Sequence, residues 1–412
     1  MKKLLILGAG VYQTPLIKKA HQMGIYTIVS SIPGNYPGFA FADKVYYADI
    51  VDSDSILQIA KEEKIDGIVT CGSDIAVKTI GYICDTLHLK GVSEGAASIT
   101  CNKISMKLAL TEGGVNTAKY KIADINDSRE NILDKCNHIG YPVVFKAVDS
   151  SGSRGITVVY TEKEIDFAIG NIKNVTRSPK YLIEEFLNGI ELGADAFIYN
   201  GKIQFVIPHG KTVYYANTGI PVGHYIPYED DTISKDVISQ VEMAIKAIGL
   251  NNCAVNTDIM LHNGIPYILE IGARVGATMI PEHISLYQGY NYYEKIIEAS
   301  FGMDVDFSPT EYGKICSASK LIFSKEGGIL KRYLNLPSSR VIDTDDYNTF
   351  GNSECGIYSI QIDKLAGDEI REFMTGPDRI GHIITYGKTL NIAKSTLENV
   401  SKNITIELEN IN

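Results

Sequence analysis

The sequence predicts an α/β protein of more than one domain, opening on a Rossmann-like parallel sheet. Three observations carry this. The first hundred residues alternate short apolar runs with helical patterns, as parallel strands covered by helices do. Two later stretches are hairpin-like, Glu191 to Ile207 around Asn200-Gly201 and Val255 to Ile271 around Asn263-Gly264. The chain has 412 residues, room for two to four domains at roughly 100–200 residues each.

Taken in order, Lys3 to Leu7 reads as a strand, Pro15 to Met23 as a helix and Tyr26 to Val29 as a second strand. Ser53 to Glu63 is helical and Gly67 to Thr70 a further strand. Gly8-Ala9-Gly10 falls at the first strand-to-helix turn, where backbone amides can receive an anion. It is a poor dinucleotide fingerprint. Gln13 stands where glycine is required, and the second strand ends in Ser30-Ser31 with no acid for a ribose hydroxyl. Helical spacing runs from Ile99 to Leu110 and stops at Gly113-Gly114. Mixed strand and helix follow from Tyr120 to Phe186, and a helix from Ser234 to Ile248 separates the hairpins. Asp304 to Thr310, carrying Ser308-Pro309, reads as a linker. The last hundred residues have strands and helices of their own: Ile383 to Tyr386, a helix from Leu390, and Ile404 to Leu408.

Composition narrows the function classes. Apolar residues make up 45% and charged residues 21%, which excludes disordered and collagen-like chains. Acidic side chains outnumber basic ones, 49 to 39, for a formal charge of −10. A nucleic-acid binder would need a basic face, so none is expected as partner; a small anionic ligand stays open. The seven cysteines form no CxxC or Cys/His cluster, which fits thiols in a reducing cytoplasm better than disulfides or zinc. The apolar run after Met1-Lys2-Lys3 ends at Gly8 without a small-residue cleavage site. No stretch reaches the roughly 18 apolar residues of a membrane helix. A cytoplasmic protein is expected. GxxxxGK[ST], GxSxG and HExxH are all absent, so phosphate chemistry must use another cradle.

Three segments carry that chemistry. In Tyr141 to Ile156, Lys146 ends an apolar strand and the small loop Ser150-Ser151-Gly152-Ser153-Arg154-Gly155 follows. Such a loop lets backbone amides approach phosphate oxygens while the lysine supplies a point charge. Taken singly, Lys146 reads as well as a snorkelling side chain; as a ligand group it is expected to lack a structural partner. In Tyr181 to Glu191, an apolar strand meets Glu184 and Glu185, then Leu187 and a glycine turn, and Glu191 follows. An extended backbone there suits a purine edge, and Glu191 suits ribose hydroxyls. In Asn256 to Arg274, Asp258 and Glu270 flank a turn and Arg274 comes soon after. Paired carboxylates suit magnesium that also binds substrate phosphates.

Together the three segments resemble the ATP-grasp superfamily, in particular its carboxylate–amine ligases of the L-amino-acid ligase type, from about Ile99 to Gly302. The resemblance implies a pre-ATP-grasp α/β domain over 1–98, an ATP-grasp module over 99–305 with an α+β lid subdomain at 120–187, and a C-terminal domain over 306–412. It implies ATP and magnesium as cofactors, with manganese as a substitute. Lys103 and Lys146 become the phosphate lysines, and Ser151, Gly152, Ser153 and Gly155 part of a mobile closing loop. Glu184, Glu185 and Leu187 fall at the adenine hinge and Glu191 at the ribose. Asp258 and Glu270 become metal ligands, and Arg274 lies beside the reacting groups. Gly272 departs from the usual Glu-x-Asn. The implied reaction joins a small-molecule carboxylate to an amine through an acyl phosphate, with a homodimer open as the assembly. His209 and His224, on the polar, aromatic segment Val206 to Pro227, and Arg274 are candidate substrate contacts. Other readings stay open: a ligase acting on bicarbonate or a purine precursor, a nicotinamide oxidoreductase using Gly8 to Gly10, and a non-catalytic ATP-binding regulator.

Side-chain parity gives a geometric expectation. A two-residue Asn263-Gly264 turn would pair His262 with Ile265 and send Asp258 and Glu270 to opposite faces of a regular ladder. A three-residue loop would put both carboxylates on one face as diagonal neighbours. It would send Ile259, Leu261, Ile265, Tyr267, Leu269 and Ile271 to the other face, and is the expected register.

Overall fold

The computed structural model describes residues 1–150, 154–215, 219–337, 347–351 and 353–409. The chain opens with four parallel strands, β1 (Lys3–Leu7), β2 (Tyr26–Ser31), β3 (Lys44–Tyr47) and β4 (Gly67–Val69), in the order β3-β2-β1-β4. Leu4 to Leu7 are fully buried, as expected of a strand covered on both faces. Gln13 fills the turn after β1 with its own side chain: its Oε1 accepts from the Gly10 amide at 2.9 Å and its Nε2 donates to the Cys71 carbonyl. An amide at that turn is thereby taken up within the protein.

The helical stretch expected from Ile99 is two helices, Glu94–Thr100 and Lys103–Glu112. Cys101 ends the first and Asn102 caps the second, accepting from the Ile104 and Ser105 amides at 3.0 Å. Helical spacing continues across such a joint, which is why the sequence pattern did not break there.

An antiparallel sheet follows, built from β5 (Tyr120–Asp124), β6 (Val143–Ala147), β7 (Ile156–Val159) and β8 (Lys180–Glu185) in the order β5-β8-β6-β7. It has its own core, with Phe145 stacked on Tyr181 and Ile132, Cys136, Ile165 and Ile172 packed around them. The main sheet begins with β9 (Ile190–Tyr199), β10 (Lys202–Tyr215), β11 (Gly219–Ile226), β12 (Cys253–His262) and β13 (Ile265–Gly272). The helix Asp231–Ile248 packs its Val237, Val241, Ala244 and Ile245 into a core shared with both the first sheet and β9, β12 and β13.

The last strands are β14 (Cys316–Ile322), β15 (Gly328–Leu334), β16 (Cys355–Ile362), β17 (Glu369–Ile370), β18 (Gly381–Gly387) and β19 (Thr405–Glu409). Three of them extend the main sheet, whose order is β13-β12-β9-β10-β11-β14-β18-β16. The join is the pairing of Tyr225 with Ala318 and Ile226 with Ser317. A single sheet therefore crosses residue 305. Among the described residues no helix is long and apolar enough to cross a membrane.

Candidate active site

β12 and β13 position the two carboxylates. Their turn is the two-residue Asn263-Gly264, with φ of 51° and 79° and His262 opposite Ile265. Asn-Gly suits the left-handed conformation that such a turn requires at both positions. The expected three-residue loop is thus corrected. Asp258 and Glu270 nevertheless share a face, because the ladder bulges: Ile259 pairs with Ile268, and then Asp258 pairs directly with Glu270. Leu269 is the extra residue, and it reverses the parity of β13. The expected apolar face changes accordingly. Ile259, Ile268 and Ile271 are buried, whereas Ile265 is 46% exposed and Tyr267, opposite Met260, shares the face of Asp258.

Each carboxylate meets a lysine. Lys103 Nζ lies 2.7 Å from Glu270 Oε1 and donates to the Ser150 carbonyl at 2.9 Å. Burial lowers the Lys103 pKa, but Glu270 outweighs it and the net shift is upward. Lys211 on β10 forms an ion pair with Asp258. Burial would raise the Asp258 pKa, yet Lys211 and Arg274 hold it below the usual carboxylate range. Glu191, opposite Met260 on β9, looks out on the same face; its pKa is raised by burial and by Asp258, against Lys211.

Lys146 is not unpartnered, contrary to expectation. It sits 2.7 Å from Glu184 Oε2, and Lys107 lies 3.4 Å from the same oxygen. Glu184 and Lys107 are both only 2% exposed. Burial pushes the Glu184 pKa up, but the two lysines overcome it and hold it low. The Glu184 carboxylate is thus taken up by lysines. Glu185 leans towards Lys119 at 3.8 Å, and Leu187 is buried. Gly155 accepts from the Ala147 amide at 2.9 Å just before β7; Ser151, Gly152 and Ser153 lie outside the described residues.

Arg274 is held on all sides. Its Nε and Nη2 donate to the two Asp74 oxygens at 2.8 and 3.1 Å, and its Nη1 donates to Asn256 Oδ1 at 2.8 Å. Asn256 Nδ2 in turn donates to Asp195 Oδ2, which also meets His209 Nε2 at 3.1 Å. Gly272 lies opposite Asn256, and a Cβ there would stand 2.8 Å from Asp74 Oδ1. Asp74, from the short helical turn after β4, therefore occupies space that a side chain at position 272 would need. His209 is 0% and His224 5% exposed, their rings 5.1 Å apart, so both sit inside the protein rather than in the open cleft.

Sequence reasoning missed Asp74, Asp195 and Lys107. Lys107 carried a signal, one helical turn after Lys103; Asp74 and Asp195 carried none, being joined to Arg274 only by the fold.

Among the described residues no group of three or more His, Cys, Asp or Glu is placed to hold a metal. Two facing carboxylates alone fit magnesium that shares its ligands with substrate phosphates. Beyond Arg274, Thr278 and Met279 adopt left-handed φ of 53° and 67°. Such strain costs about 1–3 kcal/mol per residue and clusters at functional sites. A cavity of about 880 Å³ adjoins Glu282 just after them, bordered by Lys18, Lys19, Arg371, Arg379 and His382.

Residues 100–278 match the model of the ATP-grasp domain, and residues 353–409 that of the L-amino acid ligase C-terminal domain 2. Phosphoribosylglycinamide synthetase from Anaerococcus prevotii, known from its crystal structure, is 34% identical over 99% of this chain and 100% of its own, with a TM-score of 0.82. The formate-dependent phosphoribosylglycinamide formyltransferase of Methanococcus vannielii is 29% identical over 190 residues, 45% of this chain and 48% of that enzyme. The L-amino acid ligase from Bacillus licheniformis shares the fold, at 16% identity and a TM-score of 0.78 over 100% of this chain and 99% of its own.

Proposed function

The chain belongs to the ATP-grasp superfamily, and from that membership we propose that it is an ATP-dependent ligase joining a carboxylate to an amine. The observation that supports this best is the direct pairing of Asp258 with Glu270 on one face, ringed by Lys103, Lys211 and Arg274. In the first step the substrate carboxylate oxygen attacks the γ-phosphorus of ATP, and ADP leaves. In the second, the amine nitrogen attacks the acyl phosphate carbonyl, phosphate leaves with the C–O bond electrons, and the amine loses a proton to solvent.

Asp258 and Glu270 would hold magnesium, which supplies charge neutralisation at the phosphates. Lys103 and Lys146 neutralise the transferring phosphoryl group, and Arg274, fixed by Asp74 and Asn256, stabilises charge on the tetrahedral carbonyl. No side chain needs to become covalently attached; positioning and electrostatics suffice. Glu185, Leu187 and Glu191 are assigned to the adenosine. The cavity beside Glu282 is assigned to the second substrate. Its lining mixes five basic side chains (Lys18, Lys19, Lys364, Arg371 and Arg379) with five acidic ones (Glu282, Asp363, Asp368, Glu369 and Asp378), which suits an amine that also carries an anionic group, either an amino acid or a phosphoribosylglycinamide such as the names of the relatives describe. With all seven cysteines free, a cytoplasmic location is proposed.

ATP-dependent phosphate release tests the reading. One arm offers pairs of amino acids, the other formate with phosphoribosylglycinamide. Release in either arm names the substrate class. No magnesium-dependent release or ATP binding in any arm overturns the ligase.

A further inference from the structure

Lys107 is charged, interior and unused by the chemistry above. It leaves the helix Lys103–Glu112 on the same side as Lys103, one turn on. Its ammonium also meets Thr117 Oγ1, and Thr117 donates to the Ile268 carbonyl of β13 at 2.9 Å. It is thereby tied to the main sheet, while its other neighbour, Glu184, belongs to the small antiparallel sheet. Lys146 approaches that same Glu184 oxygen from β6.

We propose that Lys107 is a positioning residue, the standing counter-cation of Glu184 that frees Lys146 to move to the nucleotide phosphates. The inference rests on the ATP reading above. Without Lys107, drawing Lys146 away would strand a carboxylate that is 2% exposed, and an unpaired buried charge is strongly disfavoured. With Lys107 in place Glu184 keeps a partner throughout. Charged groups around the ammonium are Glu184 from β8, Lys146 from β6, Glu270 from β13, and Lys103 on its own helix. Burial pulls the Lys107 pKa down to about 8 despite Glu184 and Glu270. Holding this ammonium is therefore costly, and an apolar side chain of similar length would fill the space without that cost.

The test is a double-mutant cycle read by equilibrium titration with ATP and with adenosine in magnesium, beside thermal melts. Lys107→Met should weaken ATP relative to adenosine by about tenfold or more, as removing one member of a buried charge group does. In a Glu184→Gln background, where nothing retains Lys146, the same change should cost less than about twofold. Lys107→Arg should stay within about threefold of wild type, since it keeps the charge. Equal losses in both backgrounds, or no loss in either, would overturn the proposal. Should Lys107→Met not fold, Glu184→Gln alone decides: it must raise the preference for ATP over adenosine, and an unchanged or lower preference overturns the idea. If wild type binds no ATP, the ligase reading fails before the variants are compared.

Discussion

Asp258 and Glu270 face each other directly because β13 carries one residue, Leu269, more than β12 does at that point. The bulge turns a register that would separate the two carboxylates into one that joins them. If they hold the metal, Asp258→Asn and Glu270→Gln should each lower ATP turnover by at least the roughly 10–100-fold seen when a metal ligand loses its support. Both should also shift the magnesium requirement upward. A magnesium titration of phosphate release that matches wild type in either variant removes that residue from the metal site.

Lys146 shares Glu184 with Lys107, so its loss leaves the buried carboxylate paired. Lys146→Ala should therefore weaken ATP by about tenfold or more, given that bonds to charged groups contribute about 1.5–3 kcal/mol. Its melting temperature should fall by only a few degrees. A large drop in melting temperature with unchanged ATP affinity would reassign Lys146 to the fold.

Gly272 makes room for Asp74, which orients Arg274. Gly272→Ala should push Asp74 aside and lower kcat/KM. In an Asp74→Ala background the same substitution should do almost nothing, because the colliding oxygen is gone. Additive losses would show that Gly272 acts through some other neighbour.

Lys107 gives a pH signature of its own. Between about 8 and the ordinary lysine value of 10.5, the unfolded chain holds this proton and the folded chain has released it. Stability must then rise with pH across that window. Denaturant unfolding at pH 7.5 and pH 10 should show wild type gaining on Lys107→Met as pH increases. A constant gap between the two would mean the ammonium keeps its ordinary proton affinity.

Gly193 lies opposite His209, where a Cβ would come 2.5 Å from the buried ring. Gly193→Ala should destabilise by about 1–3 kcal/mol, the usual cost of overpacking. Urea unfolding reads this, and a neutral result would mean that His209 and Asp195 can part freely.

The legible parts of the chain were those whose physics is local. Leu4 to Leu7 read as a buried strand, and Asn263-Gly264 as a turn, because hydrophobic runs and left-handed turn residues announce themselves within a few positions. The bulge at Leu269 did not: nothing in Leu-Glu-Ile distinguishes an extra residue from a regular ladder, and in a regular ladder only a longer loop puts both carboxylates on one face. Asp74 was invisible, and the place of Lys107 one turn after Lys103 did not name its partner, for another reason. Asp74 gains meaning only from Arg274, which lies 200 positions away, and Lys107 only from Glu184, so both depend on packing between distant elements.

The pairing of β11 with β14 has a practical consequence for anyone cutting this chain. A fragment ending at 305 would present β11 as a bare edge, with the backbone groups of Tyr225 and Ile226 no longer satisfied by Ala318 and Ser317. Exposed edges recruit other strands, so such a truncation should clump rather than yield a smaller working unit, and the ligase should be expressed whole.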